Sequence, residues 1–362
     1  MTNMKTLAPR STIGILGGGQ LGRMLALAAA KLGFKVHVFT NEIDGPTGQV
    51  SNAVTHADYH DKEALLEFAK QVDVVTYEFE NIPVETVSIL SEVTSVFPDA
   101  RVLEVVQDRL TEKKFINSLG IATAPFKDAS TVEEAREALK EIGYPAVLKT
   151  RRFGYDGKGQ AIVKSEEGLE DAWRQLNNDR IIIERFIPFD LEISVVAARG
   201  QDGEVVCFSP VENDHKNHIL DLSIAPARVE NDILNDAINK ATKIINDIKY
   251  VGVMTAEFFV TKEGPVLRVN EIAPRVHNSG HWTIEACRSS QFEQHIRAVC
   301  GLPLGCVDFI GEARMTNLIG DDILQYDDLL QEKGANVHHY GKNEIRAGRK
   351  MGHVTRLFPI KK

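Results

Sequence analysis

Residues 255–283 read TAEFFVTKEGPVLRVNEIAPRVHNSGHWT. Two apolar runs flank a turn signal at Glu263-Gly264, so the stretch from Thr255 to Ile272 is expected to be a β-hairpin. Glu257 and Glu271 stand 14 positions apart, and turning about Gly264 brings them opposite each other, with Asn270 beside the second. Two carboxylates and an amide oxygen on one sheet face suit Mg²⁺, which takes hard oxygen ligands and bridges nucleotide phosphates. Without a cation such a pair repels, so a merely solvated face is the costlier alternative. Ala273 to Thr283 then crowds an arginine, two histidines, an asparagine and two hydroxyl residues into one loop. Arg275 can clamp a carboxylate or phosphate, and His277 can donate to developing negative charge; a surface loop of capped turns is the alternative.

N-terminal to this hairpin the texture is α+β, and the first third is α/β. Thr12–Leu16, Lys35–Phe39, Val72–Thr76 and Val93–Phe97 read as strands, with helices at Gln20–Leu32, Lys62–Gln71 and Pro83–Ser91. A βαβ series implies a parallel, doubly wound sheet. Gly17, Gly19 and Gly22 form G-x-G-x-x-G between the first strand and helix, a geometry that receives phosphate or carboxylate. Glu42 at the end of the second strand leaves a dinucleotide reading open, as it does a plain tight turn. From Asp108 a charged helix and IATAPF mark a boundary, and the basic tail from about Gly301 a second one, giving segments 1–107, 108–300 and 301–362.

Within the middle segment, Ala146–Thr150 and Ala161–Lys164 read as hairpin strands around RRFGYDGKGQ. Gly154, Gly157 and Gly159 let amides point at phosphate oxygens, Lys158 adds charge, and Lys149 stands at the strand end before the loop. A flexible lid and an exposed hairpin tip both remain open here. Further strands are expected near 180–185, 191–199 and 204–209, and a long amphipathic helix at Asn231–Ile248. Lys113 and Lys114 read as a solvated helix face, and Trp173 and the cysteines as packing.

Composition bounds what the chain does. It has 362 residues, 43% of them hydrophobic, enough for two or three packed domains. A net charge of −9 argues against a nucleic-acid-coating or anionic-membrane surface, so anionic ligands must meet local positive charge. Cys207, Cys287, Cys300 and Cys306 lack C-x-x-C spacing, so zinc and redox chemistry are disfavoured. No apolar run approaches a membrane span and no secretory h-region opens the chain, which places it in the cytoplasm.

GGGQLGRM, DR-x-x-x-K, FGYDGKGQ, VNE-x-APRVHNSGHWT and GRKMGH together, in this order and spanning essentially the whole chain, resemble the ATP-grasp superfamily. Within it the chain is similar to the 5-(carboxyamino)imidazole ribonucleotide synthase family. The resemblance implies an N-terminal doubly wound (pre-ATP-grasp) domain, a central ATP-grasp domain and a small C-terminal domain, in a homodimer. It implies ATP, bicarbonate and 5-aminoimidazole ribonucleotide as substrates, carboxyphosphate as intermediate, and Mg²⁺, with Mn²⁺ as substitute, held by Glu257 and Glu271. Arg109, Lys149, the lid Gly154, Tyr155, Asp156, Gly157, Lys158, Gly159 and Gln160, and Asn270 and Glu271 match its ATP contacts. Glu184, Arg185, Phe186 and Ile187 match the hinge that reads adenine, Glu192 the acid on the ribose hydroxyls, and His215 a nucleotide-side position.

By the same resemblance Asp156, Arg275, His277 and Lys342 are catalytic, with Asp156 aimed at the substrate amine. Tyr155, Lys158, Lys342 and Arg349 surround the ribonucleotide phosphate. Glu78 and Asn81 contact the imidazole side, Asn278 and Ser279 join Arg275 and His277 on the substrate, and the glycine turn offers the amides of Gln20 and Leu21. The rival readings are a formate-using or biotin-carboxylating ATP-grasp ligase, an NAD-dependent oxidoreductase built on the glycine turn, and a nucleotide sensor without turnover.

Overall fold

Short apolar runs alternating with amphipathic helices build the first sheet. Thr12–Leu16 (β1), Lys35–Thr40 (β2), Ala53–His56 (β3) and Val74–Tyr77 (β4) pair in parallel in the order β3-β2-β1-β4. β1 lies between β2 and β4, and Ile13, Ile15 and Leu16 are fully buried, as expected for a parallel strand covered on both faces. Its helices are α1 (Gln20–Lys31), α2 (Lys62–Ala69), α3 (Val84–Ser91) and α4 (Ala100–Val106). The computed structural model describes residues 6–154, 157–176, 180–262 and 266–360. The strand expected at 93–97 shrinks to one bridge between Val96 and Val75. Pro98 has no N–H to continue a ladder, and Asp99 immediately caps α4 by accepting from the Val102 N–H.

Helix α5 (Arg109–Ser118) leads into the second layer. Phe126–Ala129 (β5), Ala146–Thr150 (β6), Gln160–Val163 (β7) and Ile181–Arg185 (β8) form an antiparallel sheet in the order β5-β8-β6-β7. Helices α6 (Val132–Ile142) and α7 (Leu169–Leu176) cover one face, with Trp173 packed at the rim of that core.

The third layer is a nine-stranded sheet built from Leu191–Arg199 (β9), Val205–Cys207 (β10), Val211–Lys216 (β11), Ile219–Ala225 (β12), Gly252–Val260 (β13), Leu267–Ala273 (β14), Glu312–Ile319 (β15), Ala335–His339 (β16) and Lys350–Phe358 (β17). Its order is β14-β13-β9-β11-β12-β15-β17-β16, with β10 beside β9. The tail therefore does not build a sheet of its own: Met315 of β15 pairs with Ser223 of β12, so the last strands extend the central sheet. The turn expected at Glu263-Gly264 lies outside the described residues. The hairpin β11–β12, not anticipated from sequence, turns at Asn217 and His218, both at positive φ, a two-residue geometry whose twist matches the strands it joins. Cys287 and Cys300 are buried, but Cys306 is exposed, which corrects the packing role expected of it. Among the described residues no helix is long and apolar enough to cross a membrane.

Helices α8 (Asn231–Asp247), α9 (Thr283–Ala286), α10 (Gln291–Val299) and α11 (Tyr326–Gln331) complete the described α-helices. Of these, α10 is the joint between the first and third layers. His295, fully buried, accepts the Val253 N–H at Nδ1 (3.0 Å), so its single proton sits on Nε2 and is directed to Thr76 Oγ1 at 2.7 Å. The ring thereby ties β4 to the start of β13, and Lys31–Glu293 (2.7 Å) closes the same seam at the surface. Burial holds the His295 pKa down to about 3, against the usual 6.5. The unfolded chain then binds a proton that the folded chain refuses. This contribution to stability is complete above pH 6.5 and is lost as pH falls toward 3, about 2 kcal/mol by pH 5. Urea titrations at pH 7 and pH 5 are expected to give a smaller stability difference for His295→Gln, whose amide can accept and donate at the same two places, than for the parent.

Candidate active site

The C-terminal edge of the first sheet, the lid side of the second and one face of the third enclose a cleft of about 1360 Å³. Glu257 and Glu271 are register partners across β13 and β14, as the spacing requires, with a bulge after Glu257. Both line the cleft, as does Asn270. Glu271 accepts from Arg109 Nη1 at 2.9 Å, and Glu257 faces His277 Nε2 at 3.1 Å. Removal from water and the neighbouring Glu271 charge raise the Glu257 pKa, while Arg109 and Lys149 overcome the same desolvation at Glu271 and lower its pKa. Two hard carboxylates opposed in this way fit a divalent cation, which would relieve the strain at Glu257. No group of three or more His, Cys, Asp or Glu among the described residues could hold a metal, so such an ion must draw its other ligands from substrate phosphate, water or the Asn270 amide.

Helix α5 supplies the cations. Asp108 caps it by accepting from the Leu110 and Thr111 N–H groups, and the same carboxylate clamps Arg151 at 3.0 and 2.7 Å. Arg109 and Lys113, one turn apart, then point into the cleft wall. Lys113 is only 1% exposed, which overturns its reading as a solvated residue. Its ammonium lies 3.3 Å from Glu184 Oε1 and donates to the Asn270 carbonyl at 3.2 Å, so it bridges β8 and β14. Lys149 reaches the other Glu184 oxygen at 3.0 Å. Burial alone would raise Glu184, but the two ammonium groups hold it down to about 2. The sequence gives a signal for Lys113 only in its spacing from Arg109, which puts both on one helix face. Its burial depends on the layer packed above.

Arg185, Phe186 and Ile187 follow Glu184 along the cleft, and Glu192 meets His215 Nδ1 at 2.5 Å on the facing sheet. Phe189 and Phe259, which the sequence reading did not single out, stack at 4.5 Å between ring centroids and line the same end. Gly154, Gly157, Lys158 and Gln160 line the cleft, whereas the carbonyl of Gly159 accepts from the Thr150 N–H at 2.8 Å. Gly159 is not among the lining residues, against expectation. Gly157 has φ +77°, and a Cβ there would lie 2.6 Å from His218, so this loop approaches the β11–β12 turn closely. Tyr155 and Asp156, expected on the nucleotide and the substrate amine, lie outside the described residues.

At the opposite end the glycine turn is already engaged. Glu78 accepts from the Gly19 N–H and, at 2.6 Å, from the Gly22 N–H. It is thus held at the helix start and is not projected freely toward a ligand. Burial outweighs these donors and pushes the Glu78 pKa up to about 7. Gln20, Leu21 and Asn81 line the cleft beside it. Arg275 is gripped by both Glu80 oxygens, one contact being 3.0 Å. Glu80 was not anticipated, since nothing in its local sequence shows that β4 ends opposite the β14 loop. Asn278 lines the cleft and exchanges hydrogen bonds with Asn317 at 2.9 and 2.8 Å. Ser279, expected on the substrate, is instead fully buried behind His277 because its hydroxyl is drawn to Ser194.

Lys342 and Arg349 are also absent from the cleft lining, and Lys350 is there in their place. Residues 341–349 form an outer loop in which Lys342 donates to the Lys350 carbonyl at 2.7 Å and Arg349 to the Glu344 carbonyl at 3.0 Å. Burial and neighbouring cations bring the Lys342 pKa down to about 8.

Comparison with known proteins agrees with this geometry. Residues 10–107 match the ribonucleotide synthetase preATP-grasp domain, 114–292 the ATP-grasp domain, and 313–359 the phosphoribosylaminoimidazole carboxylase C-terminal domain. The chain is 49% identical over 356 residues to N5-carboxyaminoimidazole ribonucleotide synthase of Brucella melitensis, covering 98% of each. It is 48% identical over 370 residues to bifunctional purine synthesis protein purC/E of Dictyostelium discoideum, covering 96% of this chain and 37% of that protein. N5-carboxyaminoimidazole synthase of Aspergillus clavatus, solved in complex with ADP and 5-aminoimidazole ribonucleotide, superposes with a TM-score of 0.91 at 31% identity over 97% of this chain and 94% of that one. The chain belongs to the N5-carboxyaminoimidazole ribonucleotide synthase family of ATP-grasp ligases.

Proposed function

We propose that this chain uses ATP and bicarbonate to carboxylate the exocyclic amine of 5-aminoimidazole ribonucleotide, giving 5-(carboxyamino)imidazole ribonucleotide, ADP and phosphate. The observation that carries the reading is the Glu257–Glu271 pair on the wall of a cleft that also holds Lys149, Arg275 and His277. Bicarbonate is a weak electrophile, so its oxygen first attacks the terminal phosphorus of ATP, the bond to the ADP oxygen breaks, and carboxyphosphate forms. The amine nitrogen then attacks the carboxyphosphate carbon, directly or as released CO₂. The C–O bond to phosphate breaks and phosphate leaves.

The residues' parts follow from their charge. An anion must approach a polyanion, and Lys149 and Arg275 lie where that charge can be spread in the transition state. Arg275 is held by Glu80 until a substrate carboxylate or phosphate competes for the same fork. Glu257 and Glu271, with Asn270, would hold Mg²⁺, which when bound neutralises charge on the phosphate oxygens. Arg109 and Lys113 keep Glu271 and Glu184 ionised and in place. His277 offers a neutral ring to the same space, since burial and surrounding cations hold its pKa well below the usual value. The lid closing over Gly157 excludes water from an intermediate that hydrolyses readily. Asp156 is proposed to orient the amine and accept its proton. Lys158 and Lys350, with the loop of Lys342 and Arg349, supply positive charge for the ribonucleotide phosphate. Four free thiols suit the reducing cytoplasm, and a homodimer belongs to the same reading.

ADP release at fixed bicarbonate is expected to require 5-aminoimidazole ribonucleotide and to be indifferent to formate plus glycinamide ribonucleotide; the reverse result refutes the substrate assignment. Glu271→Gln is expected to keep its circular dichroism and melting curve but to lose on the order of 100-fold or more in kcat. Full activity of that variant refutes the metal role of the pair.

Lys113→Met is expected to lower stability by a few kcal/mol and weaken ADP binding, because it leaves Glu184 with one cation in place of two. Adding Glu184→Gln is expected to recover part of the stability and none of the nucleotide affinity. Urea unfolding and calorimetric ADP titration across the four-variant cycle measure both terms.

A further inference from the structure

The two ring nitrogens of His277 meet different surroundings. Nε2 faces Glu257 at 3.1 Å. Nδ1 lies 2.8 Å from Ser279 Oγ and accepts the Ser279 backbone N–H at 3.3 Å. A ring nitrogen that accepts an N–H carries no proton itself, so the proton of the neutral ring is on Nε2. Behind Ser279 the contacts continue into the sheet. Ser279 Oγ is 2.7 Å from Ser194 Oγ on β9, which accepts from Asn213 Nδ2 on β11 at 2.9 Å. Asn213 Oδ1 in turn accepts from Ser223 Oγ on β12 at 2.9 Å. All four side chains are buried.

Polarity follows from the amide. Asn213 donates at one end and accepts at the other, so the Ser194 hydrogen must turn toward Ser279, and the Ser279 hydrogen toward Nδ1. The backbone leaves little freedom either. Gln291 Oε1 accepts from the His277 N–H at 2.9 Å, and Gln291 Nε2 donates to the His277 carbonyl at 2.7 Å. A Cβ at Gly280 would come within 2.6 Å of the same amide.

We propose that Ser279, Ser194, Asn213 and Ser223 form a buried hydrogen-bond relay that holds His277 as the Nε2–H tautomer, its donor directed into the cleft beside Glu257. They are positioning residues for the carboxylation chemistry, and to that extent the proposal rests on the function given above. Ser279, Ser194 and Ser223 do not line the cleft, and Asn213, which does, donates to Ser194 and accepts from Ser223. The relay explains why a serine in a polar loop is turned away from the substrate it was expected to bind.

The test is ¹⁵N-histidine NMR on the full chain, with His277→Asn to assign the ring signals. The parent is expected to show an unprotonated Nδ1 and a protonated Nε2. In Ser279→Ala both signals are expected to move toward an average of the two tautomers, with kcat falling about tenfold and the KM for ATP changing less than about twofold. Ser194→Ala is expected to shift both readouts in the same direction. A protonated Nδ1 in the parent overturns the proposal, and so does Ser279→Ala with unaltered ring signals and kcat. The parent spectrum decides the matter even where a variant does not fold. An inactive parent with the Nε2–H signals supports the relay and refutes the functional reading alone.

Discussion

In the proposed reaction the cleft has to accept a triphosphate, a ribonucleotide phosphate and a small carbon-oxygen anion, yet its own walls are rich in carboxylates. Nearly everything distinctive in the structure manages that charge. Glu184 is shared between Lys113 and Lys149, Glu271 is held by Arg109, Glu80 by Arg275, and Glu78 by two helix-start amides. Each acid comes from one element and its partner from another, so the ion pairs also fix how the three layers sit around the cleft. Glu257 faces the His277 ring and the opposing Glu271, and burial together with the Glu271 charge raises its pKa despite His215 and Arg275 nearby. A buried carboxylate pair in which one member is pushed up by the other fits a cation, and this is the physical basis of the ATP chemistry proposed for the cleft.

Two features of the cleft suited to anions are occupied by internal carboxylates. Glu78 fills the glycine turn and Glu80 fills the Arg275 fork. These carboxylates keep buried donors satisfied, since an unpaired buried donor or cation costs more than the pair it replaces.

Rigidity behind the site has a similar origin. Strand β13 carries Glu257 and is anchored at its start by His295, which reaches β4 of the first sheet. The loop after β14 is fixed by Gln291 and by the serines behind His277. Both histidines are neutral, each with one nitrogen accepting a backbone N–H, and in both the remaining N–H has a single defined direction. The lid is anchored differently. It approaches the β11–β12 turn at Gly157, where a Cβ would lie 2.6 Å from His218.

Residue spacing alone determined the parallel first sheet, the hairpin pairing of Glu257 with Glu271, the glycine-rich loop between β6 and β7, and the polar loop from Arg275. Each of these depends on local periodicity, on turn residues, or on a register that a single turn fixes. Motif order supplied the family. Tertiary structure decided what sequence distance conceals. Lys113 looks like any surface lysine until β8 and β14 close over it, and Ser279 looks like a ligand contact until Ser194 draws it inward. Lys342 gives way to Lys350 on the cleft wall because β17 begins there and joins the central sheet instead of folding apart. In each case the side chain's chemistry is the same in either setting, and only the partner brought up from a distant segment determines whether it faces ligand, solvent or core.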